Sequence, residues 1–219
     1  MKDQLIDTYG RVHRDLRISV TDRCNFRCQY CMPEEGMDWT PREELLTFEE
    51  IERLATLLVN KFGIESIRLT GGEPTVRANL SKLIEKLAKL DVDLSLTTNG
   101  ATLPLIAGDL YNAGLDRINI SLDTLDRKRF ESLTRRDNLK QVLHGIEAAK
   151  SVGFDPVKIN MVVMKGVNDD EVLDFVSYGR ENGLVVRFIE FMPLDADETW
   201  EKSKVMPQNE ILDLISSKH

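Results

Sequence analysis

Short runs in which apolar and polar residues alternate give way, again and again along the chain, to longer stretches whose apolar residues recur every three or four positions. That rhythm predicts strands that are each followed by a helix. The strand runs are Leu16–Val20, Glu65–Thr70, Leu94–Thr98, Arg117–Leu122, Val157–Met164 and Val185–Phe191. The clearest helix opens at Thr47, where Thr47-Phe48-Glu49-Glu50 makes a capping box ahead of a stripe of Ile51, Leu54, Ala55, Leu58 and Phe62. Further stripes run through Leu80, Leu83, Ile84 and Leu87; Leu105, Ile106, Leu110 and Ala113; Leu139, Val142, Leu143, Ile146 and Ala149; and Val172, Phe175 and Val176. Gln208–Ser216 predicts a last helix. With no tandem repeat, low-complexity tract or Pro/Gly/Ser-rich linker, residues 1–219 read as a single domain.

Strand parity then sharpens the fold. A parallel strand covered on both faces reads as a near-continuous apolar run, but here successive residues alternate, so each strand has one polar face. That face carries Arg17, Ser19 and Thr21; Arg68, Thr70 and Gly72; Ser95, Thr97 and Asn99; Asn119, Ser121 and Asp123; Lys158 and Asn160; and Arg187. The opposite face is apolar. An α/β fold of partial (β/α)6 TIM-type barrel form follows, with parallel strands, helices outside and a polar lumen. Four of the inward positions, Arg17, Arg68, Lys158 and Arg187, are cationic. For any one of them an ion pair with a residue such as Asp123 or Glu190 explains the charge equally well; for all four together a bound polyanion is the better account.

Composition adds exclusions. Hydrophobic residues make up 42% and charged residues 30%, which suits a globular chain. Lys plus Arg number 29 against 37 acidic residues, and the net charge of −8 argues against nucleic-acid or anionic-membrane partners. No apolar run approaches the roughly 18 residues of a membrane span, and no signal-peptide pattern opens the chain, so a cytoplasmic setting is expected.

All three cysteines, Cys24, Cys28 and Cys31, fall within eight residues, in the segment Thr21–Pro33 directly after the first strand. They have no distant partner for a disulfide framework, and their loop lies at the strand end where barrel active sites sit. Three thiolates at Cys-x3-Cys-x2-Cys spacing can each take one iron of a [4Fe–4S] cube, leaving the fourth iron open. A Cys3His zinc site is the competing reading, but His13, His144 and His219 lie outside any nearby ligand spacing. Elsewhere, Lys165–Asp169 reads as a turn and helix cap, Trp39 and Trp200 as local packing, and Arg127–Arg136 as a solvated helix face.

The cysteine spacing, with Tyr30 before the last cysteine, resembles the signature of the radical S-adenosylmethionine (SAM) enzymes, as does Gly71-Gly72-Glu73-Pro74 after the second strand. Within that superfamily the chain resembles the GTP 3′,8-cyclase family of molybdenum-cofactor biosynthesis. The resemblance runs from about Tyr9 onward, through Leu16–Arg23, IRLTGGEP from Ile67, LTTNG from Leu96, INISLD from Ile118, KINMVVMKGVND from Lys158 and RFIEFMP over Arg187–Pro193. It implies a [4Fe–4S] cluster on Cys24, Cys28 and Cys31. It further implies SAM held by Tyr30, Gly71, Gly72, Glu73, Ser121 and Met192, and GTP held by Arg17, Arg68, Thr97, Lys158 and Arg187. The implied reaction is a lyase reaction, in which reductive cleavage of SAM yields a radical that abstracts hydrogen from the ribose of GTP and so closes C3′ onto C8. An electron-donor protein and a downstream pathway enzyme are implied partners, and a homodimer is left open. The family also carries a second cysteine triplet whose cluster binds guanine, whereas this chain has no cysteine after Cys31. A truncated, inactive or impaired form is therefore expected. A different radical SAM enzyme, such as a peptide-modifying one, and a noncatalytic iron–sulfur protein are the alternatives.

Overall fold

The computed structural model describes residues 3–33, 35–193 and 200–218. Six parallel strands form one sheet in the order in which the chain makes them: β1 (Asp15–Ser19), β2 (Ser66–Thr70), β3 (Asp93–Thr98), β4 (Arg117–Ser121), β5 (Lys158–Val163) and β6 (Val185–Glu190). Every predicted strand is present, its ends within one residue of the alternating run. Parallel neighbours need crossovers, and helices supply them: α1 (Phe48–Phe62), α2 (Leu80–Ala88), α3 (Leu103–Asn112), the pair α4 (Arg127–Thr134) and α5 (Leu139–Val152), then α6 (Val172–Asn182). Helix α7 (Gln208–Ser216) follows β6. Among the described residues β6 does not pair with β1, so the barrel is partial.

The helix-facing side of the sheet is a packed core. Ile67, Leu69, Leu94, Leu96, Ile118, Ile120, Ile159, Met161 and Val163 are wholly buried there, each contributing about 1.5–3 kcal/mol by leaving water. The capping box at Thr47 forms as read, with Glu50 N–H donating to Thr47 Oγ1 and Thr47 N–H to Glu50 Oε2. Two helix faces differ from their stripes. Helix α1 buries Ile51, Ala55 and Val59 and leaves Leu54 exposed. Helix α3 begins at Leu103 and buries Leu103, Ala107 and Leu110, a phase that turns Leu105 to solvent.

On the other side, strand register stacks the polar residues into rungs. Asp15, Ser66 and Asp93 share the lowest; Arg17, Arg68, Ser95 and Arg117 the next; Thr97, Asn119 and Lys158 a third; and Ser121, Asn160 and Arg187 the uppermost. At the base charges balance. Arg117 forms a forked ion pair with Asp93, and the Ser66 hydroxyl donates to Asp15.

Candidate functional site

The cysteine loop leaves the C-terminal end of β1 and is moored on several sides. Gly72 N–H donates to Thr21 O and Glu73 N–H to Arg23 O, each at 2.8 Å. This contact leaves no room for side chains: a Cβ at Gly71 would stand 2.3 Å from Thr21 O, and one at Gly72 2.3 Å from Asp22 O. Asn99 Nδ2 donates to Asn25 Oδ1 at 2.7 Å, tying the loop to the end of β3. The Arg27 guanidinium donates to Cys24 O and Phe26 O, both at 2.7 Å, and lies over the Trp39 ring at 5.2 Å. Arg135 and Arg136 add bonds to the carbonyls of Arg27, Met32 and Asn25.

Burial pushes all three thiols up, Cys28 most of all, and neighbouring thiols raise Cys24 and Cys28 further. Such thiols need a positive centre before they will lose their protons. Among the described residues, however, no three His, Cys, Asp or Glu side chains converge on a single metal ion. Three free thiols carried by one loop at Cys-x3-Cys-x2-Cys spacing suit a group that spreads its ligands over several metal atoms.

Below the loop, the Tyr30 hydroxyl donates to Asp123 Oδ2, and Val162 N–H donates to Asp123 Oδ1 at 2.8 Å. Burial raises the Asp123 carboxyl to about 6, against the lowering effect of those two bonds. Cys28, Tyr30, Ser121 and Asp123 line one small cleft. Asn168, fully buried, donates to Asp123 O and Val162 O and accepts from Met164 N–H. Its side chain therefore laces the ends of β4 and β5 together rather than capping the helix that follows.

Glu73 is buried, and its carboxylate accepts from Thr75 N–H, Thr75 Oγ1, Thr98 Oγ1 and Asn99 N–H at 2.6–3.0 Å. The carboxylate thus shapes the rim, and it explains why polar Thr98 is buried on the apolar side of β3. Gly72 and Ser121 stand half-buried at strand ends, whereas Met192 lies just past β6 and is 50% exposed.

The lumen cations are brought together. Among the described residues none of Arg17, Arg68, Lys158 and Arg187 has a carboxylate within salt-bridge distance. The two carboxylates that sequence offered are occupied elsewhere, Asp123 by Tyr30 and Val162, Glu190 by Gln208 N–H. Arg17 and Arg68 are register neighbours. Burial lowers the Lys158 ammonium, and Arg117, Arg187 and Arg68 push it the same way against Asp93. Burial, Arg68 and Arg117 likewise depress Arg187. Among the described residues four buried polar side-chain atoms have no partner, and three of them face this space: Arg68 Nε, Arg187 Nε and Asn160 Oδ1. Thr97 sits half-buried one rung below Arg187. Arg117 also belongs to this field; the sequence reading did not include it, and its Asp93 partner needed the register.

Comparison with known proteins agrees with this arrangement. Over most of its length the chain resembles GTP 3′,8-cyclases: 51% identical over 210 residues to that of Streptomyces coelicolor, covering 95% of this chain and 62% of the relative. To the Rhodopirellula baltica enzyme it is 49% identical over 214 residues, 97% of this chain and 60% of the relative. To the mitochondrial enzyme of Arabidopsis thaliana it is 49% identical over 217 residues, 98% and 55%. The chain thus spans roughly three-fifths of the length of these relatives. Among solved structures, methylornithine synthase superposes with a TM-score of 0.70 at 16% identity, over 94% of this chain and 63% of that one. Streptococcus suis SuiB bound to S-adenosylmethionine gives 0.68 at 19%, over 93% and 47%. These two show the fold alone. The radical SAM superfamily profile matches residues 18–179, from β1 into α6, and the chain belongs to that superfamily.

Proposed function

We propose that this chain is the radical SAM core domain of a GTP 3′,8-cyclase, working in a cytoplasmic setting. The observation that carries the reading is the layer of cations and unpartnered guanidinium nitrogens beneath a three-thiol loop. Arg17 is exposed and the other three cations half-buried; gathered without carboxylates they suit a polyanion, and a nucleoside triphosphate supplies one. The relatives' names point to the same substrate, GTP.

In this reading Cys24, Cys28 and Cys31 hold a [4Fe–4S] cluster. When bound, the cluster supplies one electron, drawn from a donor protein, for reductive cleavage of SAM into methionine and a carbon radical. Tyr30, Gly71, Gly72, Ser121 and Met192 bound the SAM site. Glu73 shapes the Gly-Gly rim through its four bonds and Asp123 fixes Tyr30, so both position rather than react. Arg17, Arg68, Lys158 and Arg187 neutralise the triphosphate, with Thr97 beside them, and hold the ribose facing the cofactor. The cyclised nucleotide passes to a downstream enzyme. The family's second, guanine-binding cluster has no cysteine ligands in these 219 residues, so cyclisation by this chain alone is expected to be slow or absent. Anaerobic reconstitution, reduction and addition of SAM should yield 5′-deoxyadenosine, and GTP should bind without efficient conversion. An iron-loaded chain that yields no 5′-deoxyadenosine overturns the reading.

A further inference from the structure

A second group of cations lies apart from the lumen, against the start of α1. Arg23, Arg42 and Arg77 line a hollow of about 480 Å³ together with Phe48 and Val76, and Arg23 leads directly into Cys24. Among the described residues none of the three has a carboxylate within salt-bridge distance. Arg77 is half-buried, donates to Val20 O and Leu46 O and lies over the Phe48 ring at 4.5 Å, whereas Arg23 and Arg42 are exposed. The acids along this edge do not answer them. Glu49 pairs with Lys86 and Glu50 is bonded to Thr47, while Glu43 and Glu44, on the turn that carries Arg42, do not line the hollow. Beside the hollow, Leu46, Leu54 and Leu57 are each about half exposed and form an apolar ridge edged by Arg53. The two features meet at Leu46, whose carbonyl accepts the Arg77 bond. Apolar area with a charged rim is the make-up of a protein-docking surface.

We propose that this face docks the electron donor, an acidic one-electron carrier protein. The proposal rests on the cluster reading above. In that reading SAM and nucleotide fill the lumen mouth, so the electron must enter from an outer side of the cysteine loop. On the α4 side the arginines are spent: Arg135 and Arg136 bond to loop carbonyls, Arg127 pairs with Asp137, and Arg129 pairs with Asp170 and Glu171. On the α1 side the cations have no acid of their own and run up to Cys24. The chain carries a net charge of −8, so a local cationic patch decides where an acidic partner lands, and the leucine ridge supplies the area that holds it. That ridge favours a protein over a small anion. In the docked pair the reduced carrier is oxidised by one electron and the cluster is reduced by one, with no bond made or broken.

A purified flavodoxin, an acidic flavin protein, serves as the probe. Its affinity for the iron-loaded full chain is measured by calorimetry, and cluster reduction is followed by visible absorbance with either reduced flavodoxin or dithionite as the donor. Arg42→Glu and Leu57→Asp should each weaken flavodoxin binding about tenfold and slow reduction by subsaturating flavodoxin to match. Iron content, melting temperature and reduction by dithionite should stay close to wild type in both. Lys128→Glu makes the same charge change on the α4 side and should leave flavodoxin affinity within about twofold. Raising salt from about 50 to about 200 mM should weaken binding by the wild type more than by Arg42→Glu. Unchanged affinity in Arg42→Glu and Leu57→Asp, equal losses in Arg42→Glu and Lys128→Glu, or a dithionite-reducible wild type that binds no flavodoxin each overturns the proposal. So does a wild-type dimer that Leu57→Asp dissociates with flavodoxin affinity unchanged, since the face then belongs to a second copy. A chain whose cluster dithionite reduces but which makes no 5′-deoxyadenosine from SAM overturns the functional reading instead.

Discussion

The two faces of the one sheet obey opposite rules. On the helix side the large side chains of the four central strands are covered, and Thr98, a deep polar group there, has a partner in Glu73. On the lumen side, a few ångströms away through the same strands, like charges are register neighbours and guanidinium nitrogens go unpartnered. The first face is what makes the chain fold. The second opposes folding and, in the proposed function, is retained for what it binds, so that reading assigns stability and recognition to alternate residues of the same strands.

That division can be broken by experiment. The largest expected effect is at the seam between the faces. Gly72→Ala forces a methyl to within 2.3 Å of Asp22 O, displacing the cysteine loop; iron bound per chain after reconstitution should fall to near zero. Next, Leu96→Ala on the covered face should cost about 2–5 kcal/mol in urea unfolding, while the folded fraction binds nucleotide normally. Lys158→Met should do the reverse. GTP affinity should drop by about 1.5–3 kcal/mol, the worth of a charge-assisted bond, and the unliganded fold should be no less stable. Tyr30→Phe strips a donor from buried Asp123 and is expected to cost about 1–3 kcal/mol.

The smallest effect is a pH signature with two signs. Lys158 is depressed in the fold, so between its lowered value and 10.5 the unfolded chain holds more protons, and stability should rise with pH across that window. Nucleotide binding prefers the ammonium form, so affinity should fall over the same window. If both quantities move together on titration of wild type against Lys158→Met, the division between faces is wrong.

Much of this was legible in sequence because a lumen-lined strand writes its two faces as strict alternation, and six such runs located every strand to within one residue. The same alternation places Arg17, Arg68, Lys158 and Arg187 on one side of the sheet. Alternation gives a face but no register. It could not show that Arg117 spends its charge on Asp93, or that Tyr30 reaches Asp123 across 93 positions. Nor did residue type reveal that the Glu73 carboxylate is saturated by Thr75, Thr98 and Asn99. Helical stripes were weaker guides than strands, since Leu54 and Leu105 fit a period but fall on the wet side of their helices.

The bare Gly71–Gly72 turn has a further consequence. Because Thr21 and Asp22 rest directly on its backbone, the height of the sulfur-bearing loop above the sheet is set by peptide-to-peptide contact, with no rotatable side chain between them to absorb error. Tolerances at the reacting end are thus inherited from how firmly the second strand is seated, and a remote packing defect that shifts it would be felt first as a misplaced sulfur.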